Sequence, residues 1–177
     1  MSTTTNDDQL AEIRRRIDRL QAFAQAGPAE SSLRIRRHLD ALRREEASIL
    51  AAAPGAPDHV DEKVGQLKMR LAVAESSVVA DVSDDWTMFA RAVEDELGSW
   101  DTYLERLQAT AATKDGNARE RAEAAIAEVR TRRIAVDDRL AQARTNVDGA
   151  WHEQRNDVST ARDELARKAD ELPAKVE

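Results

Sequence analysis

A stripe of apolar residues at helical spacing runs almost unbroken from Val60 to Ala111, and it commits this part of the chain to helix. Its members are Val60, Val64, Leu67, Leu71, Ala74, Val78, Val82, Trp86, Phe89, Val93, Leu97, Trp100, Leu104, Leu107 and Ala111, with no proline inside. After the turn signal Lys114-Asp115-Gly116-Asn117 the pattern resumes through Ala122, Ile126, Val129, Val136, Leu140, Ala143, Val147, Trp151, Val158, Ala161, Leu165, Ala169 and Leu172. The spacing predicts two long helices joined at 114–117, an antiparallel hairpin over 58–172. At ~1.5 Å per residue it would reach ~80 Å.

Ahead of it, a shorter hairpin is expected over 7–53. Asn6 can cap its first helix with Gln9 at capping-box spacing, and Leu10, Ile13, Ile17, Leu20, Phe23 and Ala24 form the apolar face. Gly27-Pro28 stops that helix, and a second runs through Leu33, Ile35, Leu39, Leu42, Ile49 and Leu50. Pro54-Gly55-Ala56-Pro57 breaks the chain before Asp58, the expected cap of the long helix. Residues 1–6 are expected as a disordered N-terminal tail and 173–177 as a C-terminal tail. The fold class is all-α: four helices in an elongated antiparallel coiled coil, with the short hairpin packed on one end. Folding at these turns gathers Phe23, Trp86, Phe89 and Trp151 at one level as an aromatic core. Beyond that level only two helices remain, so Trp100 and Tyr103 are the candidate anchors for a protein partner.

Within the stripe the spacing slips by an extra four-residue step between Val78 and Trp86, and again near Val93 to Leu97. The stripe therefore reads as two seams in series. The chain also repeats itself. Ile17-Asp18-Arg19-Leu20-Gln21-Ala22-Phe23-Ala24 matches Leu104-Glu105-Arg106-Leu107-Gln108-Ala109-Thr110-Ala111, and Arg70-Leu71-Ala72-Val73-Ala74 matches Arg139-Leu140-Ala141-Gln142-Ala143. Both matches fit a tandem duplication.

Charge narrows the partners. The net charge of −7 argues against nucleic acid, which selects a surplus of Lys and Arg on one face. Residues 58–105 hold four basic and twelve acidic side chains, whereas the second helix carries Arg34, Arg36, Arg37, Arg43 and Arg44. Packing the basic helix on the acidic one selects register, at ~0.2–1 kcal/mol for each exposed pair. No secretory or membrane-spanning apolar run is read in the sequence, so a cytoplasmic location is expected. Without cysteine the chain has no thiolate chemistry.

His152-Glu153-Gln154-Arg155-Asn156 lacks the second histidine of the zinc-protease pattern, and no Glu precedes His38, His59 or His152 at the spacing of a di-iron site. Asp84-Asp85 and Asp137-Asp138 read as solvated acids on helices rather than magnesium ligands. No catalytic residue, metal or cofactor is expected, and the chain reads as a non-enzyme. Amphipathic helices also lie on lipid surfaces, but these carry acids where such helices usually carry Lys or Arg. A peripheral membrane or lipid-stress role is thus the alternative to a homodimer or another protein partner.

Leu97-Gly98-Ser99-Trp100-Asp101-Thr102-Tyr103-Leu104-Glu105-Arg106-Leu107, with Arg139-Leu140-Ala141, Gly149-Ala150-Trp151-His152-Glu153 and Ala161-Arg162-Asp163-Glu164-Leu165, resembles small bacterial coiled-coil proteins of the stress-response type. The likeness covers about residues 95–172 and departs at Gln154 and Arg155, where an apolar residue followed by Lys is more usual. It implies a helical interaction protein linked to stress, without catalytic residues.

Overall fold

The computed structural model describes residues 3–26, 29–51, 57–145 and 151–176. Every regular element among them is helical: α1 (Thr3–Ala26), α2 (Ala29–Ala51), α3 (Pro57–Val82), α4 (Trp86–Ala112), α5 (Gly116–Thr145), α6 (Trp151–Ala169) and the single turn α7 (Pro173–Val176). The all-α expectation holds, but six substantial helices stand in place of four. The first long helix of the expected hairpin is interrupted at 83–85, and in place of the second stand α5 and α6, with residues 146–150 outside the described residues. The longest helix has 30 residues, about 45 Å rather than ~80 Å.

Several expected boundaries move. α1 starts at Thr3, so Asn6 lies inside the helix and residues 3–6 are not a tail; residues 173–176 form α7. α3 starts at Pro57, ahead of Asp58, and α5 at Gly116, within the expected turn. Gly27-Pro28 and Pro54-Gly55-Ala56 lie outside the described residues. The chain divides into two compact units, Met1–Ser99 and Trp100–Glu177, so the division falls inside α4 and not at the proline break.

In the first unit α1, α2 and α3 form an up-down-up bundle whose register is recorded in side-chain bonds. Lys68 Nζ donates to Gln9 Oε1 at 2.9 Å and Arg16 Nε to Glu75 Oε1 at 2.9 Å, seven residues on along both helices, so α1 and α3 run parallel. Arg34 bonds Asp81 and Arg70 approaches Glu45 at 3.9 Å, eleven residues on along α2 and eleven back along α3, so these two are antiparallel. The interior draws on Leu10, Ile13, Ile17 and Leu20 of α1, Ile35, Leu39, Leu42 and Ile49 of α2, and Val64, Leu67, Leu71 and Val78 of α3. Each fully buried Leu or Ile contributes ~1.5–3 kcal/mol, far more than any exposed ion pair.

The second unit holds the end of α4, then α5, α6 and α7. Arg133 Nη2 and Nε donate to Asp101 at 2.8 and 3.0 Å, fastening α5 to α4. Lys168 pairs with Glu128 at 2.7 Å and Arg132 with Glu164 at 2.9 Å, four residues on along α5 and four back along α6. α6 therefore folds back along α5 instead of extending it. Of the two internal matches, the first joins the ends of α1 and α4, each followed by a helix that runs back along it. The second joins α3, the third helix of its bundle, to α5, the helix that follows the first turn of its own unit; these positions are not equivalent.

Candidate functional site

The two aromatic residues expected as exposed anchors are buried, and only one of the four expected in the core is fully so. Trp100 and Tyr103 are 0% and 1% exposed, with their rings edge to face at 5.9 Å. Buried rings are not available as anchors, and the physical reason is topological: the unit that holds them has α6 as a third long helix, which a two-helix arm lacks. Of the four aromatics assigned to the core, Phe89 is fully buried, whereas Phe23, Trp86 and Trp151 are only half-buried. Trp86 packs its ring 6.0 Å from that of Phe89. The Arg155 guanidinium lies 5.5 Å from the Trp151 ring centroid, a cation–π contact.

Beside the apolar seam of α2 and α3 runs a polar one that the apolar pattern does not announce. Arg34, His38 and Glu45 recur at helical spacing on α2, and Arg70, Ser77 and Asp81 on α3. Asp81 accepts a bond from Arg34, and the register places His38 level with Ser77. Arg70 is 0% exposed, and His38, Ser77 and Asp81 are buried. Burying a guanidinium is tolerable only with partners, which makes this seam a device for register and not a place where substrate can enter. Glu96 of α4 and Arg162 of α6 are likewise buried, Glu96 on a face with Phe89, Val93, Trp100 and Tyr103 and Arg162 on one with Val158, Leu165, Ala166 and Ala169.

The surface open to a partner lies beside the break between α3 and α4. Here Ser83 and the two aspartates offer the backbone local alternatives to helix. Ser83 Oγ donates to the Val79 carbonyl at 2.7 Å, closing α3, and Asp85 Oδ1 accepts the Met88 N–H at 3.0 Å, capping α4. α3 turns one stripe inward through Leu71, Ala74 and Val78, and buries a second through Val73, Ser77 and Ala80. Val79 and Val82 fall on neither stripe and are 50% and 44% exposed; Met88, on the first turn of α4, is 57% exposed. Carrying the Arg16–Glu75 register seven residues further sets half-buried Phe23 level with Val82. Leu33, Leu50 and Ile134 are exposed as well, but none has a second large exposed apolar residue within a turn of its own helix among the described residues. Scattered apolar residues are ordinary on a surface, whereas a group is not.

In the second unit Lys168 reaches two carboxylates, Glu128 at 2.7 Å and Glu171 at 3.0 Å, and Lys175 also bonds Glu171 at 3.1 Å. The bond from Lys168 holds Glu128 below the usual carboxylate range, and Lys168 with Lys175 does the same for Glu171. The two carboxylates in turn raise Lys168. One ammonium thereby ties α5, α6 and the turn before α7 together. Among the described residues no three His, Asp or Glu side chains gather to hold a metal ion, and no helix is long and apolar enough to cross a membrane.

No protein-family model, curated protein or solved structure matches this chain.

Proposed function

We propose that this chain is a non-enzymatic helical interaction protein, with coiled-coil-type seams, that associates with a second copy of itself. The observation that carries the reading is the exposed group Val79, Val82 and Met88 beside the α3–α4 break. An isologous pairing would cover it with the same surface on a partner, the commonest way a homodimer closes. A lipid surface is the second reading, since the same apolar group could dip into one. Asp84 and Asp85, both exposed beside it, disfavour anionic headgroups. The stress-linked part of the proposal rests on the sequence resemblance.

Light scattering on a size-exclusion column over a hundredfold range of concentration tests it. The expected result is a dimer that dissociates on dilution, and that Val79→Lys with Met88→Lys converts to monomer with unchanged helical circular dichroism. A monomer at every concentration removes the self-association. A monomer that floats with anionic vesicles at low salt assigns the surface to lipid instead.

A further inference from the structure

We propose that two copies of the chain meet through the first turns of α4, which cross antiparallel with Met88 at the two-fold axis, so that Arg91 of each copy reaches Asp84 of the other. The pairing rests on the self-association already proposed and assigns the side chains that orient it. Asp84 stands just ahead of α4 and Arg91 on its second turn, seven residues apart with Met88 between them, and all three are exposed. An antiparallel two-fold at Met88 returns this row on itself: the apolar centre meets its own copy, and the acid at one end faces the base at the other. Symmetry makes each contact twice.

Both charges are open within their own copy. Among the described residues neither Asp84 nor Arg91 has a hydrogen bond or ion pair, and Glu94 and Asp95, one turn beyond Arg91, do not bond to it. Arg34, the cation that the α2–α3 register brings nearest the break, is engaged by Asp81. Asp85 Oδ1 accepts the Met88 N–H at 3.0 Å, which fixes where the helix starts and so the heights of Met88 and Arg91 above the acid. Two chains of net charge −7 repel at a distance, so a surface on which they meet has to set opposite charges face to face. A partner of another kind requires neither an acid and a base on one row nor their near-equal spacing about an apolar centre. That self-complementarity is what selects a second copy.

Cross-linking reads the position of the axis. The chain has no cysteine, so Met88→Cys introduces a single reporter. Under mild oxidation of the full-length chain it is expected to give a disulfide-linked dimer at least tenfold faster than Ile134→Cys, an exposed position on α5. Charge reversal reads the pairs. Arg91→Asp and Asp84→Arg should each raise the dimer dissociation constant at least tenfold in light scattering, with circular dichroism checking that the fold persists and Asp85 left in place as the cap. An equimolar mixture of the two variants should form a heterodimer, because every charge pair across that interface is again opposite in sign. A parent dimer that Val79→Lys with Met88→Lys dissociates, but that neither charge variant weakens, keeps the self-association and overturns this pairing. Cross-linking as fast at Ile134 as at Met88 overturns it too. A parent chain that stays monomeric overturns both.

Discussion

Two glycines show how residue-level physics separates positions that look alike in the sequence. Gly98 sits in the middle of α4, and a Cβ built there meets nothing within 4 Å. Glycine in a helix interior costs about 0.5–1 kcal/mol relative to alanine, so Gly98→Ala should stabilise the chain by that amount. Gly116 also has open space, but its φ of 51° lies in the left-handed region. Gly116→Ala should therefore destabilise by about 1–2 kcal/mol. Urea midpoints moving in opposite directions for the two variants are the expected result. At Trp100 the local pattern was legible and its consequence was not. Its place on the apolar stripe shows that the ring turns inward, while its full burial depends on which helices are present around it.

At the scale of the element, pairings between helices carry the specificity. Arg70 and Glu45 lie across α3 and α2, and removing one member of a buried charged pair leaves the other stranded. Arg70→Met is expected to cost about 3–5 kcal/mol, and Arg70→Met with Glu45→Leu to recover much of it. A double-mutant cycle in urea measures the coupling. The Lys168 clasp gives a pH dependence whose sign follows from the shifts. Glu128 and Glu171 are lowered in the folded chain, so their contribution is present above the ordinary glutamate pKa of ~4.3 and is lost as pH falls through the folded values. Lys168 is raised, so its share is present below ~10.4 and is lost as pH rises through its folded value. Carboxyl NMR titration should find Glu128 below the usual range, and Lys168→Met should return it upward. Most helix-forming segments were legible in the sequence because the apolar period is local, whereas the expected caps Asn6 and Asp58 fall inside α1 and α3. The break at 83–85 and the return of α6 along α5 were not, because the apolar spacing continues through both regions. At the first, the adjacent Ser83-Asp84-Asp85 and the slip in spacing between Val78 and Trp86 were the available signals.

For the whole molecule, one buried cluster of the first unit draws, among the described residues, on α1, α2 and α3. A fragment ending at Val82 should therefore fold as a helical bundle. It would lose whatever covers Val73, Ser77 and Ala80, which lie outside that cluster yet are buried in the full chain. Cooperative unfolding by circular dichroism at a lower midpoint than the full chain is expected; a non-cooperative, largely unfolded fragment would contradict it. The amino-acid sequence by itself determined that the described segments are helical, which side of α1 turns inward and where the turn after α4 lies, since periodicity and glycine act over a few residues. Only the tertiary structure decided that α6 returns along α5, that arginines at 70 and 162 are buried, and that Val79, Val82 and Met88 are exposed in place of Trp100 and Tyr103. Burial is a property of what packs against a residue. A single helical stripe specifies a face to be covered, and the number and direction of the helices that cover it are set by contacts far apart in the chain.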